Sequence, residues 1–304
     1  MEKFEVHILG CGSAMPTMRH NPPSQVVNVR EKLFMIDCGE NTQVQLRRTK
    51  LKFTRLSHIF ISHLHGDHCL GLPGLLSTLG LMGRNGELVI HSPGGLEQAL
   101  SPLLKAFCGD LPYKLTFQPF GTMGSELIYD DRSVQVFTIP LNHRIPTCGF
   151  LFREKSLPNH ILRPACDFYK VPIEWMCRIK AGYDYEAPDG TIVPNAKLSE
   201  PSTPPRSYAY CSDTLYAESI VPHLKDVDLL YHEATFAESE QKQAVARFHS
   251  TASQAATIAR MAGAKRLLLG HYSARYTDEK QLLEEARSIF LNTELTKEGA
   301  VFQP

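Results

Sequence analysis

Ser62-His63-Leu64-His65-Gly66-Asp67-His68 is the stretch on which the reading of this chain turns. Four metal-capable side chains, His63, His65, Asp67 and His68, fall within six residues. They follow His58-Ile59-Phe60-Ile61-Ser62, which reads as a buried strand. Side chains of extended backbone alternate with a period of two, so His63 and His65 project to one side. Gly66 permits the positive φ of a sharp bend, which predicts that Asp67 and His68 face a second point. Imidazole and carboxylate at this spacing suit Zn²⁺ or a similar divalent ion. A histidine-rich surface loop is the competing reading, and four such side chains at one strand end weigh against it.

Working outward, three further residues supply what a two-metal site would still lack. His143 follows a strand expected at Val134–Ile139, Asp213 follows Ala209–Cys211, and His271 follows Leu267-Leu268-Leu269. Each stands just beyond the C-terminal end of an apolar strand, where loops converge on a rigid sheet in α/β folds. Singly they are ordinary polar residues. Together they complete a binuclear set in which Asp213 is the natural bridging carboxylate. Other strands are expected at Phe4–Leu9, at Gln25–Val29 and Leu33–Ile36 as a hairpin, and at Leu88–His91, Leu229–His232 and Arg266–Leu269. Helices are expected at Asn41–Arg48, at Ser253–Ala262 stopped by Gly263, and at Glu279–Phe290.

Composition sets the class and little more. The 304 residues balance 32 Lys+Arg against 32 Asp+Glu, with 43% apolar and 21% charged, which excludes disordered and fibrous proteins. No apolar run approaches the ~20 residues that span a bilayer. The N-terminal MEKFEVHILG has neither the basic start nor the long apolar stretch of a signal peptide. The eight cysteines are scattered with no C-x-x-C pair, so reduced thiols in a cytoplasmic protein are expected. Zero net charge gives no global field for nucleic acid, and any such partner needs a local basic patch. Arg47, Arg48, Lys50, Lys52 and Arg55 form one such cluster, read equally as phosphate contacts or as a solvated helix face. Arg153 to Arg206 holds eight of the 20 prolines and the only tryptophan, Trp175, without sustained periodicity. It reads as a functional excursion or an ordered insertion.

The run from His63 to His68, followed by Gly71-Leu72-Pro73-Gly74-Leu75-Leu76, resembles the metallo-β-lactamase superfamily and, within it, the ribonuclease Z family of tRNA 3′-processing endonucleases. Segments Gly10–Thr17, Phe34–Gln43, His232-Glu233-Ala234-Thr235 and His271–Tyr276 match the same family, so the likeness runs from residue 6 to about 290 with a gap across the proline-rich segment. It implies a four-layer αβ/βα sandwich of the α/β class, one domain over residues 1–304 with an arm inserted at about 153–206. It implies two Zn²⁺ per subunit, with Mn²⁺ or Co²⁺ accepted by the same ligands. His63, His65 and His143 would hold one ion, Asp67, His68 and His271 the other, and Asp213 both. Asp37 matches a position that orients a ligand imidazole, although alone it is equally an ordinary turn aspartate. Asp67 would also take the water's proton. His249 supported by Glu233 would protonate the leaving oxygen, although His249 alone reads as a helix-start residue.

The implied reaction is cleavage of precursor tRNA that leaves a 3′-hydroxyl on the tRNA and a 5′-phosphate on the trailer, by a homodimer in the cytoplasm and without a membrane partner. Arg275 is the expected phosphate contact near the centre, and Lys170, Arg178 and Lys180 are those of the arm. Many family members carry a Gly-Pro step in the arm, where this chain has Tyr169-Lys170-Val171-Pro172-Ile173-Glu174-Trp175-Met176. Trp175 there is an arm-packing residue or a simple core anchor. The departure supports an alternative, a binuclear-metal phosphodiesterase acting on another nucleic acid or a small diester. A non-catalytic, metal-stabilised RNA-binding protein is a third reading, opposed by the complete set of candidate ligands.

Overall fold

The computed structural model describes residues 2–304. Its first part runs β1 (Phe4–Gly10), β2 (Ser24–Val29), β3 (Lys32–Ile36), α1 (Thr42–Arg48), β4 (Leu56–Phe60), the single turn α2 (Gly66–Cys69), α3 (Leu72–Leu81), β5 (Leu88–Ser92), α4 (Leu96–Cys108) and β6 (Leu115–Pro119). Next come β7 (Leu127–Asp130), β8 (Val134–Pro140) and β9 (Cys148–Glu154). A segment of short elements follows: β10 (His160–Ile161), α5 (Arg163–Phe168), α6 (Met176–Lys180), β11 (Tyr185–Glu186), β12 (Ile192–Val193) and β13 (Ser199–Glu200). The last part is β14 (Ser207–Cys211), β15 (Leu229–Glu233), α7 (Gln241–Arg247), α8 (Ala252–Ala262), β16 (Arg266–Gly270), α9 (Lys280–Ile289), β17 (Thr293–Leu295) and β18 (Val301–Phe302).

Two seven-stranded sheets result, ordered β18-β1-β2-β3-β4-β5-β6 and β17-β16-β15-β14-β9-β8-β7. Strand alternation builds the layers. In β3, Phe34 and Ile36 enter the core between the sheets, while Leu33 and Met35 join Leu72, Leu75, Leu76 and Leu79 of α3 on the outer face. On the other side the small face of α8 (Ala252, Ala255, Ala256, Ala259) closes over the second sheet. The result is the expected four-layer sandwich. β3 to β6 are parallel, as are β14 to β17. Parallel strands are buried on both faces, which is why they read as continuous apolar runs such as Leu267-Leu268-Leu269. Their C-terminal ends release His63, Asp213 and His271.

α3 and α4 stand outside the helices expected from sequence. Pro73 at the start of α3, Gly74 within it, and Pro102 inside α4 mask two helices whose leucines recur at helical spacing.

The chain divides into two compact units, residues 154–205 and the remainder. The smaller one is ordered around its own core of Cys166, Val171, Ile179, Tyr185, Val193 and Leu198. Asn195 ties its loops together, donating from Nδ2 to the carbonyls of Ile179 (2.8 Å) and Tyr183 (2.9 Å) and accepting at Oδ1 from Ser199 Oγ (2.6 Å). Trp175 is half-buried there, edge-on to Tyr185 at 5.1 Å with the Arg178 guanidinium 4.9 Å over its ring. Among the described residues, no helix is long and apolar enough to cross a membrane.

Candidate metal centre

The His63–His68 segment leaves β4 and is pinned by backbone. Cys38 N donates to the His68 carbonyl and Gly71 N to the Cys38 carbonyl, both at 2.8 Å. A Cβ on Gly71 would stand 2.0 Å from the Gly39 carbonyl oxygen, so this approach requires glycine. Gly66 does not bend through positive φ as expected from sequence. It opens the helical turn α2, where a Cβ would meet Leu70 Cδ1 at 2.8 Å, and that turn carries Asp67 and His68, with the His68 ring 4.1 Å from that of His63. Positive φ appears instead at Asp37 (55°), Phe248 (60°) and His271 (62°), left-handed conformations uncommon in non-glycine residues.

Two groups of side chains converge. His63 Nε2 lies 3.0 Å from His65 Nδ1, which lies 3.3 Å from His143 Nε2. Asp213 Oδ2 is 3.6 Å from His63 Nε2 and 3.8 Å from His143 Nε2. The other Asp213 oxygen, Oδ1, is 3.0 Å from His271 Nε2 and 3.4 Å from His68 Nε2. Asp67 Oδ2 stands 3.5 Å from His68 Nε2 and 3.8 Å from His271 Nε2. Each carboxylate oxygen of Asp213 thus faces a different histidine group.

These residues fit divalent ions. His68 Nε2, His271 Nε2 and Asp213 Oδ1 are buried atoms without a hydrogen-bond partner, an arrangement costly in a folded protein unless a cation completes it. Burial lowers the pKa of His63, His65 and His143, keeping the neutral form that ligates a metal. Burial pushes His68 the same way, yet Asp213, Asp37 and Asp67 around it carry it well above the ordinary value. A buried carboxylate cluster with that demand for positive charge is the electrostatic signature of a cation site.

The outer partners fix each ring. Asp37, fully buried, accepts from His68 Nδ1 and Tyr210 Oη at 2.8 Å and from Ser62 N and Oγ at 2.8 and 2.9 Å. His143 Nδ1 donates to the Phe248 carbonyl at 2.9 Å. Glu233, fully buried at the end of β15, accepts from His249 Nδ1 (2.9 Å), Thr214 N and Ser250 N (3.0 Å each) and Thr235 Oγ1 (2.6 Å). The Thr235 hydroxyl accepts in turn from His271 Nδ1 at 2.8 Å. Burial lowers the His249 pKa, but Glu233 overcomes this and lifts it to about 9. The Glu233 carboxyl is held below its usual range against burial by His249. A cavity of about 560 Å³ opens over the group, walled by Asp67, His143, Asp213, His249 and His271.

Comparison with known proteins decides the family. A protein of Bacteroides fragilis named ribonuclease Z is 61% identical over 299 residues, covering 98% of both chains. The chain belongs to the ribonuclease Z family. Human tRNase Z, short form, has a crystal structure 27% identical in sequence, with a TM-score of 0.72 and 98% of each chain covered. The metallo-β-lactamase fold protein YhfI from Bacillus subtilis shares the fold alone, at 18% identity, TM-score 0.70 and full coverage of both chains. A family model described as anti-Pycsar protein Apyc1 matches residues 4–105, a span that contains His63–His68 and none of His143, Asp213 or His271.

The fold brings every residue of the expected metal set to one place. Asp37 and His249 contact that set, and Glu233 reaches it through Thr235 and His249. The remaining expected residues lie elsewhere. Arg275 pairs with Glu240, its guanidinium 4.8 Å over the Phe236 ring, and it is Ser273 and Ala274 that line the cavity. Lys170, Arg178 and Lys180 are exposed on the 154–205 unit. Thr235, Ser62 and Tyr210 escaped the sequence reading as orienting residues. The only signal for Thr235 was its place in His232-Glu233-Ala234-Thr235, and Tyr210 gave none.

Proposed function

We propose that the chain is a binuclear-metal endoribonuclease that removes 3′ trailers from precursor tRNA. The observation that carries the reading is Asp213, one oxygen toward His63 and His143 and the other toward His68 and His271, in a ribonuclease Z family member. His63, His65 and His143 would hold one ion, Asp67, His68 and His271 the other, with Asp213 shared. The imidazole-rich set suits zinc. Divalent ions at such a site supply a water of lowered pKa and neutralise charge on the phosphoryl oxygens.

The chain's own groups do the rest. Asp67 is held ionised against burial by His68 and His271, with its Oδ2 accepting the Ala14 amide hydrogen at 2.9 Å. It accepts a hydrogen bond from the attacking water and takes its proton, which passes to bulk solvent as the products leave. As the water oxygen bonds to phosphorus, the bond from phosphorus to O3′ of the upstream nucleotide breaks. His249, protonated near neutral pH and held at Nδ1 by Glu233, gives the proton of its other nitrogen to that O3′. The products are a 3′-hydroxyl on the tRNA and a 5′-phosphate on the trailer. Asp37 and Thr235 hold the rings of His68 and His271 so that each Nε2 is the free nitrogen.

Lys170, Arg178, Lys180 and Arg275 are proposed RNA contacts, the first three on the inserted unit. The eight free thiols suit a reducing cytoplasm, and the family resemblance supports a homodimer. The deciding experiment is cleavage of a 3′-extended precursor tRNA by purified protein, with a chelator control and end-group analysis. Chelator-sensitive cutting that leaves a 3′-hydroxyl and a 5′-phosphate is expected. Hydrolysis of a chromogenic diester with no cutting of precursor would instead favour a small-diester phosphodiesterase. Metal analysis and light scattering test the two zinc ions and the dimer.

A further inference from the structure

Two cavities meet at His143 and Arg144. One is the central cavity over the candidate ligands. The other, of about 530 Å³, has His143 and Arg144 as its shared wall and Met123, Leu141, Ile145 and Pro146 as apolar faces. The segment 143–144 is stitched to 246–248: Arg144 donates from Nη2 to the Ala246 carbonyl at 2.9 Å, beside the bond from His143 to Phe248. Phe248, in the left-handed conformation, ends α7 and returns the chain so that Arg247 and His249 both line the central cavity.

Charge pairing distinguishes these arginines. Arg275 is neutralised by Glu240, and Arg19 by Glu279. Among the described residues, neither Arg144 nor Arg247 has a carboxylate partner, and both are exposed at the mouth of the central cavity. The chain has no net charge, so affinity for a polyanion must come from local cations. Guanidinium groups bind phosphate oxygens through paired N–H donors. The His249 ring lies 5.2 Å from that of His143 and 5.4 Å from that of His271, and the second cavity, which shares His143 and Arg144 with the central one, is an apolar space beside the scissile position into which a neighbouring base fits.

We propose that Arg144 and Arg247 bind RNA phosphates flanking the scissile one, and that the cavity behind His143 receives the base of a nucleotide next to the scissile bond. The inference deepens the tRNA reading and rests on it. The test measures kcat/KM on a 3′-extended precursor tRNA over a range of salt, and on bis(p-nitrophenyl) phosphate, for wild type, R144A, R247A and the double variant. The loss on RNA should exceed the loss on the small diester by about tenfold in the double variant, with the salt slope smaller by about 1 for each arginine removed. R144K and R247K should restore part of the affinity, because charge survives while the paired donors are absent. Ile145→Ala and Met123→Ala should change the relative rates on precursors that differ only in the nucleotide on one or the other side of the scissile bond.

Equal losses on both substrates, or an unchanged salt slope, would overturn the phosphate contacts. Unchanged base preference would overturn the base cavity. A wild-type protein that hydrolyses the diester but never cuts the precursor would remove the tRNA reading and this inference together. Wild-type cutting with insensitive variants would remove this inference alone.

Discussion

The metal centre and the 154–205 unit are built on opposite principles. At the centre the side chains are held from behind by committed partners while their inward atoms converge. His68 is held by Asp37, His271 by Thr235, His143 by a backbone carbonyl and His249 by Glu233, with the two carboxylates fully buried. The 154–205 unit has a core of six buried side chains and leaves Lys170, Arg178 and Lys180 in solvent. Chemistry at a metal pair needs ligand atoms fixed to within a fraction of an ångström, which only buried second partners on rigid strands provide. Binding a phosphate backbone needs charge over a surface, which a small, short-stranded unit supplies without such precision.

The contrast can be broken most directly at Asp213. Asp213→Ala should remove both metal binding and hydrolysis, read by metal analysis and by turnover of either substrate. A variant that keeps two metal equivalents and activity would end the shared-carboxylate assignment. Next in size is His249→Ala, expected to lower kcat by about 10²–10⁴ with metal content unchanged, as loss of a proton donor does. Metal loss in that variant would instead place His249 among the ligands, since it also lies within 4.8 Å of Asp213 and His271. Asp37→Asn should weaken metal affinity by about 10–100-fold, measured by competition with a chelator, because the His68 ring loses its anionic partner.

Replacing Lys170, Arg178 and Lys180 together by alanine sharpens the other side of the comparison. KM for precursor tRNA should rise and its salt dependence flatten by about 1 for each phosphate no longer neutralised, with a far smaller change on a chromogenic diester. Comparable losses on both substrates would mean that the unit supports the fold rather than the substrate. The smallest effect is expected at half-buried His58 and buried His91, outside the centre and 3.0 Å apart. Burial lowers them to about 4 and about 3. The unfolded chain therefore binds protons first, and the contribution of the pair to stability, present above pH ~6.5, is lost as pH falls toward 4. Thermal melts of the His58→Gln, His91→Gln double variant should show a shallower loss of Tm over that range than wild type.

Much of this was legible in the residues themselves. Parallel strands buried on both faces leave continuous apolar runs, so the strands that carry the site and the ligands at their ends could be placed by inspection. Helices α3 and α4 could not, because Pro73, Gly74 and Pro102 suppress the local signal that tertiary burial of their leucines overrides. The 154–205 unit reads as irregular because its strands are two residues long, too short for any period. Gly66 shows a different failure. Gly66 sits in an ordinary helical turn where a Cβ would meet only the movable Leu70 side chain, while left-handed backbone at the site belongs to Asp37, Phe248 and His271, residue types that do not announce it.

The sequence alone determined which side chains could ligate, that they stand at strand ends, and the family they match, because those properties are local in the chain. Only the tertiary structure decided that the two oxygens of Asp213 face different histidine groups, that Thr235 and Asp37 fix the rings, and that among the described residues Arg144 and Arg247 lack the carboxylate partner that Arg275 has. Those relations join residues many positions apart in sequence. They are set by how two sheets pack and where their loops meet, which no spacing along one chain encodes.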